Sequence, residues 1–215
     1  MTRPEETYHF PTGRRACEHV GYPASQLDRI TPAALESFAG VGYPFAVNGI
    51  YEADTVLDIG SGSGTDLLLA ALLVGPSGRA IGLDMTDAMR RKAESNARAM
   101  GLANVEVVAA NDDSIPLPDA SVDVVTSNGV INLIPDKHAA IDEIARVLRP
   151  GGRVQIADIV VRVRRARDGH ARREAGLIAA RRYRRRTPTA VPVRLGSAAP
   201  VSVPPATAIA WTRAK

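Results

Sequence analysis

Thr55-Val56-Leu57-Asp58-Ile59-Gly60-Ser61-Gly62-Ser63-Gly64-Thr65-Asp66 decides the fold. A short apolar run ends in a glycine-rich turn. The turn runs straight into Leu67-Leu68-Leu69-Ala70-Ala71-Leu72-Leu73-Val74, which is apolar nearly all round. Strand, tight turn and buried helix make the first half of a βαβ nucleotide-binding unit. Glycines let the backbone approach a ligand closely, and a helix N-terminus offers unpaired N–H groups. The stretch therefore predicts a bound cofactor without saying which.

Downstream the alternation is regular. Gly75-Pro76-Ser77-Gly78 stops the helix. Arg79 to Asp84 reads as a second strand. Thr86 opens a helix with Asp87 in its first turn, Arg98 in its last, an apolar stripe of Met89, Ala93, Ala97 and Met100, and Gly101 at its end. Val105 to Ala109 and Val122 to Ser127 are the third and fourth strands. Asp136 to Leu148 is a helix, broken by Arg149-Pro150-Gly151-Gly152, and Arg153 to Ile159 is a fifth strand. Strands alternating with helices predict an α/β fold with a doubly wound, mostly parallel, Rossmann-like sheet over residues 51–161. Residues 1–50 hold short helical candidates, one from Pro32 to Ala39 behind a Thr31 N-cap, and the loop Gly40-Val41-Gly42-Tyr43-Pro44-Phe45. A cap or lid over the ligand and a plain packing extension are both open readings of this region.

The glycine spacing separates cofactors. It lacks the third glycine of a dinucleotide fingerprint, and no Lys-Ser/Thr pair follows it, which excludes a triphosphate P-loop. Asp84 ends the second strand a little over twenty residues beyond Gly60. A carboxylate there accepts from both ribose hydroxyls of an adenosine. Cys17 is the single cysteine and excludes an intrachain disulfide or a cysteine-cluster metal site. His9, His19, His138 and His170 show no ligand spacing, so no metal is expected.

Asp58-Ile59-Gly60-Ser61-Gly62-Ser63-Gly64, Gly82-Leu83-Asp84-Met85 and Leu148-Arg149-Pro150-Gly151-Gly152-Arg153 together resemble the class I S-adenosylmethionine-dependent methyltransferases. Ser127-Asn128-Gly129-Val130-Ile131-Asn132-Leu133-Ile134-Pro135-Asp136-Lys137, with Asp84-Met85-Thr86, is similar to the arsenite methyltransferase family in particular. The resemblance implies S-adenosyl-L-methionine as cofactor and a small-molecule methyl acceptor. By position it implies that Asp58, Gly60, Ser61, Gly62 and Gly64 form the cofactor turn. Asp84 would bind the ribose, Met85 would lie against the adenine, and Asn111 and Asp112 would meet the adenine edge. Ser127 would sit beside the sulfonium, and Ser127, Asn128 and Asn132 are the substrate-side candidates. No catalytic nucleophile is implied, because the acceptor's own lone pair attacks the methyl group. Two departures stand out. Val41 lies where the family has the cysteine of a Tyr-Gly-Cys-Gly-type loop, and Gly129 where it has a cysteine after the Ser-Asn pair. The acceptor is therefore arsenite or another metabolite, quinone or lipid. A catalytically dead nucleotide-binding protein is the remaining alternative.

Charge divides the chain. Residues 1–161 carry 13 Lys+Arg and 21 Asp+Glu, whereas residues 162–215 carry 14 and 2. The second segment, rich in Arg, Ala and Pro, is expected to lack a stable fold. An out-of-frame or truncated C-terminus has this composition, and the C-terminal strands of the class I fold are expected to be missing. A basic tail could hold nucleic-acid phosphates, but without interleaved aromatics nucleic acid is not expected elsewhere. The charged N-terminus lacks a signal-peptide core, and no apolar run spans a bilayer, so a cytoplasmic protein without a membrane partner is expected.

Overall fold

A computed structural model describes residues 12–110 and 114–159, and the backbone of 207–212. Asn111, Asp112 and the remainder of the basic segment lie outside the described residues. Five strands, β1 (Thr55–Ile59), β2 (Arg79–Asp84), β3 (Val105–Ala109), β4 (Val122–Asn128) and β5 (Leu148–Asp158), form a parallel sheet in the order β3-β2-β1-β4-β5. The chain reverses its direction of travel across the sheet between β1 and β4. The crevice at the carboxyl ends of those two strands is where such sheets take ligands.

The helices sit where the pattern puts them. Three short ones, α1 (Arg14–His19), α2 (Ala24–Leu27) and α3 (Pro32–Glu36), precede the sheet. Then come α4 (Thr65–Val74), α5 (Asp87–Ala99) and α6 (Lys137–Val147). Helix α4 is buried along almost its whole surface, as its unbroken apolar run requires. Helices α4 and α5 share one core with Leu27, Leu35, Phe38 and Phe45 of the N-terminal region, so that region packs on their face of the sheet. On the other face Leu57, Ile81, Val125 and Val154 pack with Ile131, Ile144 and Val147.

Local details differ from expectation at ends. Thr31 does cap α3, its Oγ1 accepting from the Ala34 amide at 3.3 Å, but the helix stops at Glu36, and Phe38 is buried from the turn beyond. Thr86 makes no side-chain cap for α5. Its amide instead donates to Asp84 Oδ1 at 2.8 Å. Helix α6 already stops at Val147, and Arg149 to Gly152, expected to break it, belongs to β5 as an irregularity. Val122 pairs with Leu148 and Val124 with Arg153, so the extra residues are extruded. Arg149 Nη1 holds both Asp123 oxygens at 2.8 and 2.7 Å beside this bulge.

A sixth strand, β6 (Thr207–Thr212), runs antiparallel along β5, with Ala210 beside Gln155 and Trp211 beside Val154. This corrects, by one strand, the expectation that the C-terminal strands are missing. Thr207, Ile209 and Trp211 alternate with Ala208 and Ala210, a two-residue period that a composition-level reading of the segment passes over.

Candidate functional site

The turn after β1 is built on β2. The Gly60 and Ser61 amides both donate to the Leu83 carbonyl, at 2.7 and 3.1 Å, and the Gly64 amide closes the turn on the Ser61 carbonyl at 2.9 Å. Gly60, Gly62 and Gly64 all have positive φ, at 74°, 54° and 101°. Close packing adds to this at Gly60, where a Cβ would lie 2.3 Å from Val130 Cγ2. Gly62 is the opposite case: nothing lies within 4 Å of where its Cβ would be. The open space over Gly62 is the cradle that a ligand could fill.

Asp84 is tied to the same turn. Its Oδ2 accepts from the Gly62 amide at 2.8 Å while its Oδ1 accepts from Thr86. Each oxygen of a carboxylate can accept more than one hydrogen bond, so both remain able to receive a ribose hydroxyl. Beside it Met85 is 75% exposed, an apolar side chain free to lie on a flat ring. Ser61 Oγ is buried with no hydrogen-bond partner among the described residues. An open glycine and the part-used strand-end carboxylate bonded to it fit an adenosyl ligand.

Other sequence candidates have structural partners. Asp58 is 3% exposed, behind the turn, where Thr126 Oγ1 donates to it at 2.8 Å. Ser127 is fully buried, and its hydroxyl donates to the Ile59 carbonyl at 3.3 Å. Asn128 spans from the end of β4 to the Val41-Gly42 backbone. Asn132 donates its amide to Asp158 Oδ2 at 2.9 Å, and its side-chain Oδ1 is buried with no partner among the described residues.

Three acidic residues dominate the electrostatics. Burial, then the charge of Asp66, raises Asp58 well above the carboxylate range, and Asp84 adds to this. Burial pushes Asp66 up to about 6, opposed by hydrogen bonds from Tyr22 and Asn128. Burial also raises Asp158. Cys17 is fully buried, and burial, with a smaller push from Asp66, lifts its thiol to about 12. It stays a neutral thiol at physiological pH and does not act as a thiolate. Among the described residues no group of three or more His, Cys, Asp and Glu is arranged to hold a metal ion. No described helix is long and apolar enough to cross a membrane.

Sequence reasoning missed Asp66, Tyr22, Thr126 and Asp158. Asp66 carried a usable signal, being the sole charged residue in the apolar helix that follows the turn. Tyr22 and Asp158 carried none, since only the fold brings them in.

Sheet order, glycine turn and the strand-end carboxylate define a Rossmann-like domain of the kind that binds an adenosyl cofactor. The chain belongs to the methyltransferase domain family, which matches residues 50–182. It is 44% identical over 143 residues to the arsenite methyltransferase of Halobacterium salinarum, covering 66% of this chain and 36% of that protein. It is 33% identical to the ubiquinone/menaquinone biosynthesis C-methyltransferase UbiE of Enterobacter sp., covering 52% of this chain and 45% of that one. The chain thus spans less than half the length of these curated relatives. Among solved structures it resembles the arsenic (III) S-adenosylmethionine methyltransferase of Chlamydomonas reinhardtii. The TM-score there is 0.59 and the identity 37%, over 64% of this chain and 48% of that one. It also resembles an S-adenosylmethionine-dependent methyltransferase from Aquifex aeolicus, with TM-score 0.54 and 28% identity over 67% and 77% of the two chains.

Proposed function

We propose that the chain transfers a methyl group from S-adenosylmethionine to a small molecule. The observation that carries this reading is the bond from the Gly62 amide to Asp84 Oδ2, which joins the glycine turn and the ribose-type carboxylate into one rigid unit at the sheet's switch point. Gly60, Ser61, Gly62 and Gly64 would line the methionyl portion, Asp84 the ribose and Met85 the adenine. Asp58 sits behind the turn, accepting from Thr126 on β4 and from the Leu67 amide of α4. Bound S-adenosylmethionine supplies an electrophilic methyl group on a sulfonium cation. The protein's own share is then to orient the acceptor in line and to exclude water.

The acceptor side favours a molecule other than arsenite. A Cβ on Gly129 would lie 3.3 Å from Val41 Cγ1, so the two positions that match the family's cysteines face each other as an apolar contact. Neither offers a thiolate for soft trivalent arsenic. A neutral carbon or heteroatom nucleophile suits this wall better. Calorimetric titration with S-adenosylmethionine tests the cofactor half. Binding that Asp84→Ala weakens supports it, whereas no detectable binding by the wild-type chain overturns it. Incubation with arsenite and a thiol tests the acceptor half. Methylated arsenic products would refute the non-arsenic reading.

A further inference from the structure

The cofactor reading leaves Asp66 without a ligand, yet Asp66 sits in the first turn of α4, 6% exposed, two residues past Gly64. The Tyr22 hydroxyl donates to its Oδ1. Asn128 Nδ2 lies 3.1 Å from its Oδ2, 3.0 Å from the Tyr22 hydroxyl and 2.9 Å from the Gly42 carbonyl. On its other side Asn128 Oδ1 accepts from the Val41 amide at 2.8 Å and the Gly42 amide at 3.2 Å. Asn128 is therefore a hub between the helix after the glycine turn and the Gly40–Gly42 loop.

Packing makes the arrangement specific. A Cβ on Gly40 would meet Asn128 Nδ2 at 2.4 Å and Phe38 Cζ at 2.5 Å, so only glycine lets the loop come down on the amide. Phe38 meets the Tyr22 ring edge-on at 5.3 Å between centroids, and Tyr43 lies against it at 4.7 Å. These contacts aim the Tyr22 hydroxyl at Asp66. From the loop the contact runs on through Val41 to Gly129, and through the next residue, Val130, to Gly60. An aliphatic side chain in place of Asp66 would suit an otherwise apolar helix and spare the molecule a buried charge. The carboxylate contributes where the loop sits rather than raising stability.

We propose that Asp66, acting through Tyr22 and Asn128, is a positioning residue that clasps the Gly40–Gly42 loop onto the carboxyl end of β4 and so sets the acceptor-side wall. Calling that wall acceptor-side rests on the methyltransferase reading; the clasp itself does not. The charged and titratable groups facing Asp66 are Asp58 from β1, Cys17 from α1, Tyr22 from the turn after it, and Tyr43 beyond the loop. Protonating Asp66 turns one of its two acceptor oxygens into a donor that opposes Tyr22 or Asn128.

Amide hydrogen exchange of Val41 and Gly42, followed by NMR on the full chain and corrected for intrinsic rates, tests the clasp without any ligand. Tyr22→Phe, which keeps the ring packing, and Asp66→Asn should each lower protection of these two amides at pH 7.5 by about tenfold, the loss of roughly one net hydrogen bond. In the wild type, protection should fall between pH 7.5 and pH 5. In Asp66→Asn it should already be low and flat across that range. A remote core change, Ile144→Val, lowers global stability but should leave Val41 and Gly42 protected, which separates positioning from general loosening. Unchanged protection in both clasp variants, or a pH step that persists in Asp66→Asn, overturns the proposal. If S-adenosylmethionine fails to bind while the exchange results hold, the cofactor reading has failed and the clasp stands.

Discussion

Replacing Gly60 by alanine should cost the fold about 2–5 kcal/mol, and replacing Val130 at the same time should return part of that. The cost has two parts. Gly60 has φ 74°, and a left-handed backbone costs a residue with a Cβ about 1–2 kcal/mol. The new methyl would also lie 2.3 and 2.9 Å from the two Cγ atoms of Val130 and 3.0 Å from its Cβ. Overpacking of this kind costs about 1–3 kcal/mol more. Val130→Ala removes both Cγ atoms and leaves only the 3.0 Å contact, so it relieves the overpacking and none of the backbone strain. Urea denaturation of the four members of the cycle reads the coupling directly. The double variant should be more stable than the sum of the single changes predicts by about 1–3 kcal/mol. Calorimetry on the same proteins should show a parallel pattern in S-adenosylmethionine affinity, with Gly60→Ala weaker by about tenfold or more. Additivity within about 0.5 kcal/mol would refute the close packing of Val130 on the turn.

Other expectations follow from the same geometry. Asp84→Ala removes the acceptor for the Gly62 and Thr86 amides as well as the proposed ribose carboxylate, so S-adenosylmethionine binding by calorimetry should weaken by about a hundredfold, or about 3 kcal/mol. Asp66 has a folded pKa raised from 3.8 to about 6, so its contribution to stability is fully present below the unfolded value and is lost as pH rises through about 6. From Asp66 alone, unfolding free energy should be about 1.4 kcal/mol lower at pH 8 than at pH 5. Asp58 acts in the same direction, so Asp66→Asn should reduce the slope of the profile measured by urea midpoints without abolishing it. Asn96 is 6% exposed, and its Nδ2 donates to the Ser63 carbonyl in the glycine turn at 2.9 Å. Asn96→Ala should therefore destabilise by about 1–3 kcal/mol and raise proteolysis at the turn. Arg146 ties the Ile115 and Leu117 carbonyls at 2.8 and 2.9 Å, so Arg146→Ala should speed amide exchange in the connection between β3 and β4, while the β1 amides stay protected.

The sheet was legible because each parallel strand is announced twice, by an apolar run and by the turn or helix that follows. Strand positions β1 to β4 came out within a residue. The fifth was misjudged at its start because Arg149-Pro150-Gly151-Gly152 contains the residues of a turn, and only pairing with Val122 and Val124 shows that the ladder continues around a bulge. The sixth strand was missed because an arginine-rich composition masked six residues of alternation. The first helical candidate overran because Leu35 and Phe38 fit one helical face, whereas Phe38 reaches the core from a turn.

The two halves of the candidate site differ in legibility for a physical reason. A cofactor turn is made by backbone, so its glycines and the carboxylate that caps it must fall at fixed intervals along the chain. The proposed acceptor wall is made by side-chain contact between segments far apart in sequence, and no spacing rule links them. Val41 and Gly129 show this. Each could be noted as a departure from the arsenite methyltransferase pattern, but only the folded chain sets one against the other. That contact joins the two departures into one apolar patch rather than two separate changes. Asn128 makes the same point from the opposite side. Its place at the carboxyl end of β4 makes it a substrate-side candidate, yet its amide is committed on both edges, to Val41 and Gly42 through Oδ1 and to Tyr22, Asp66 and Gly42 through Nδ2. An amide so engaged serves to fix the Val41-Gly42 backbone. Under the proposed function the loop's apolar face fronts the acceptor, and Val41, rather than the Ser-Asn pair that resembles the family most closely, is then the residue whose substitution should change the methylated product.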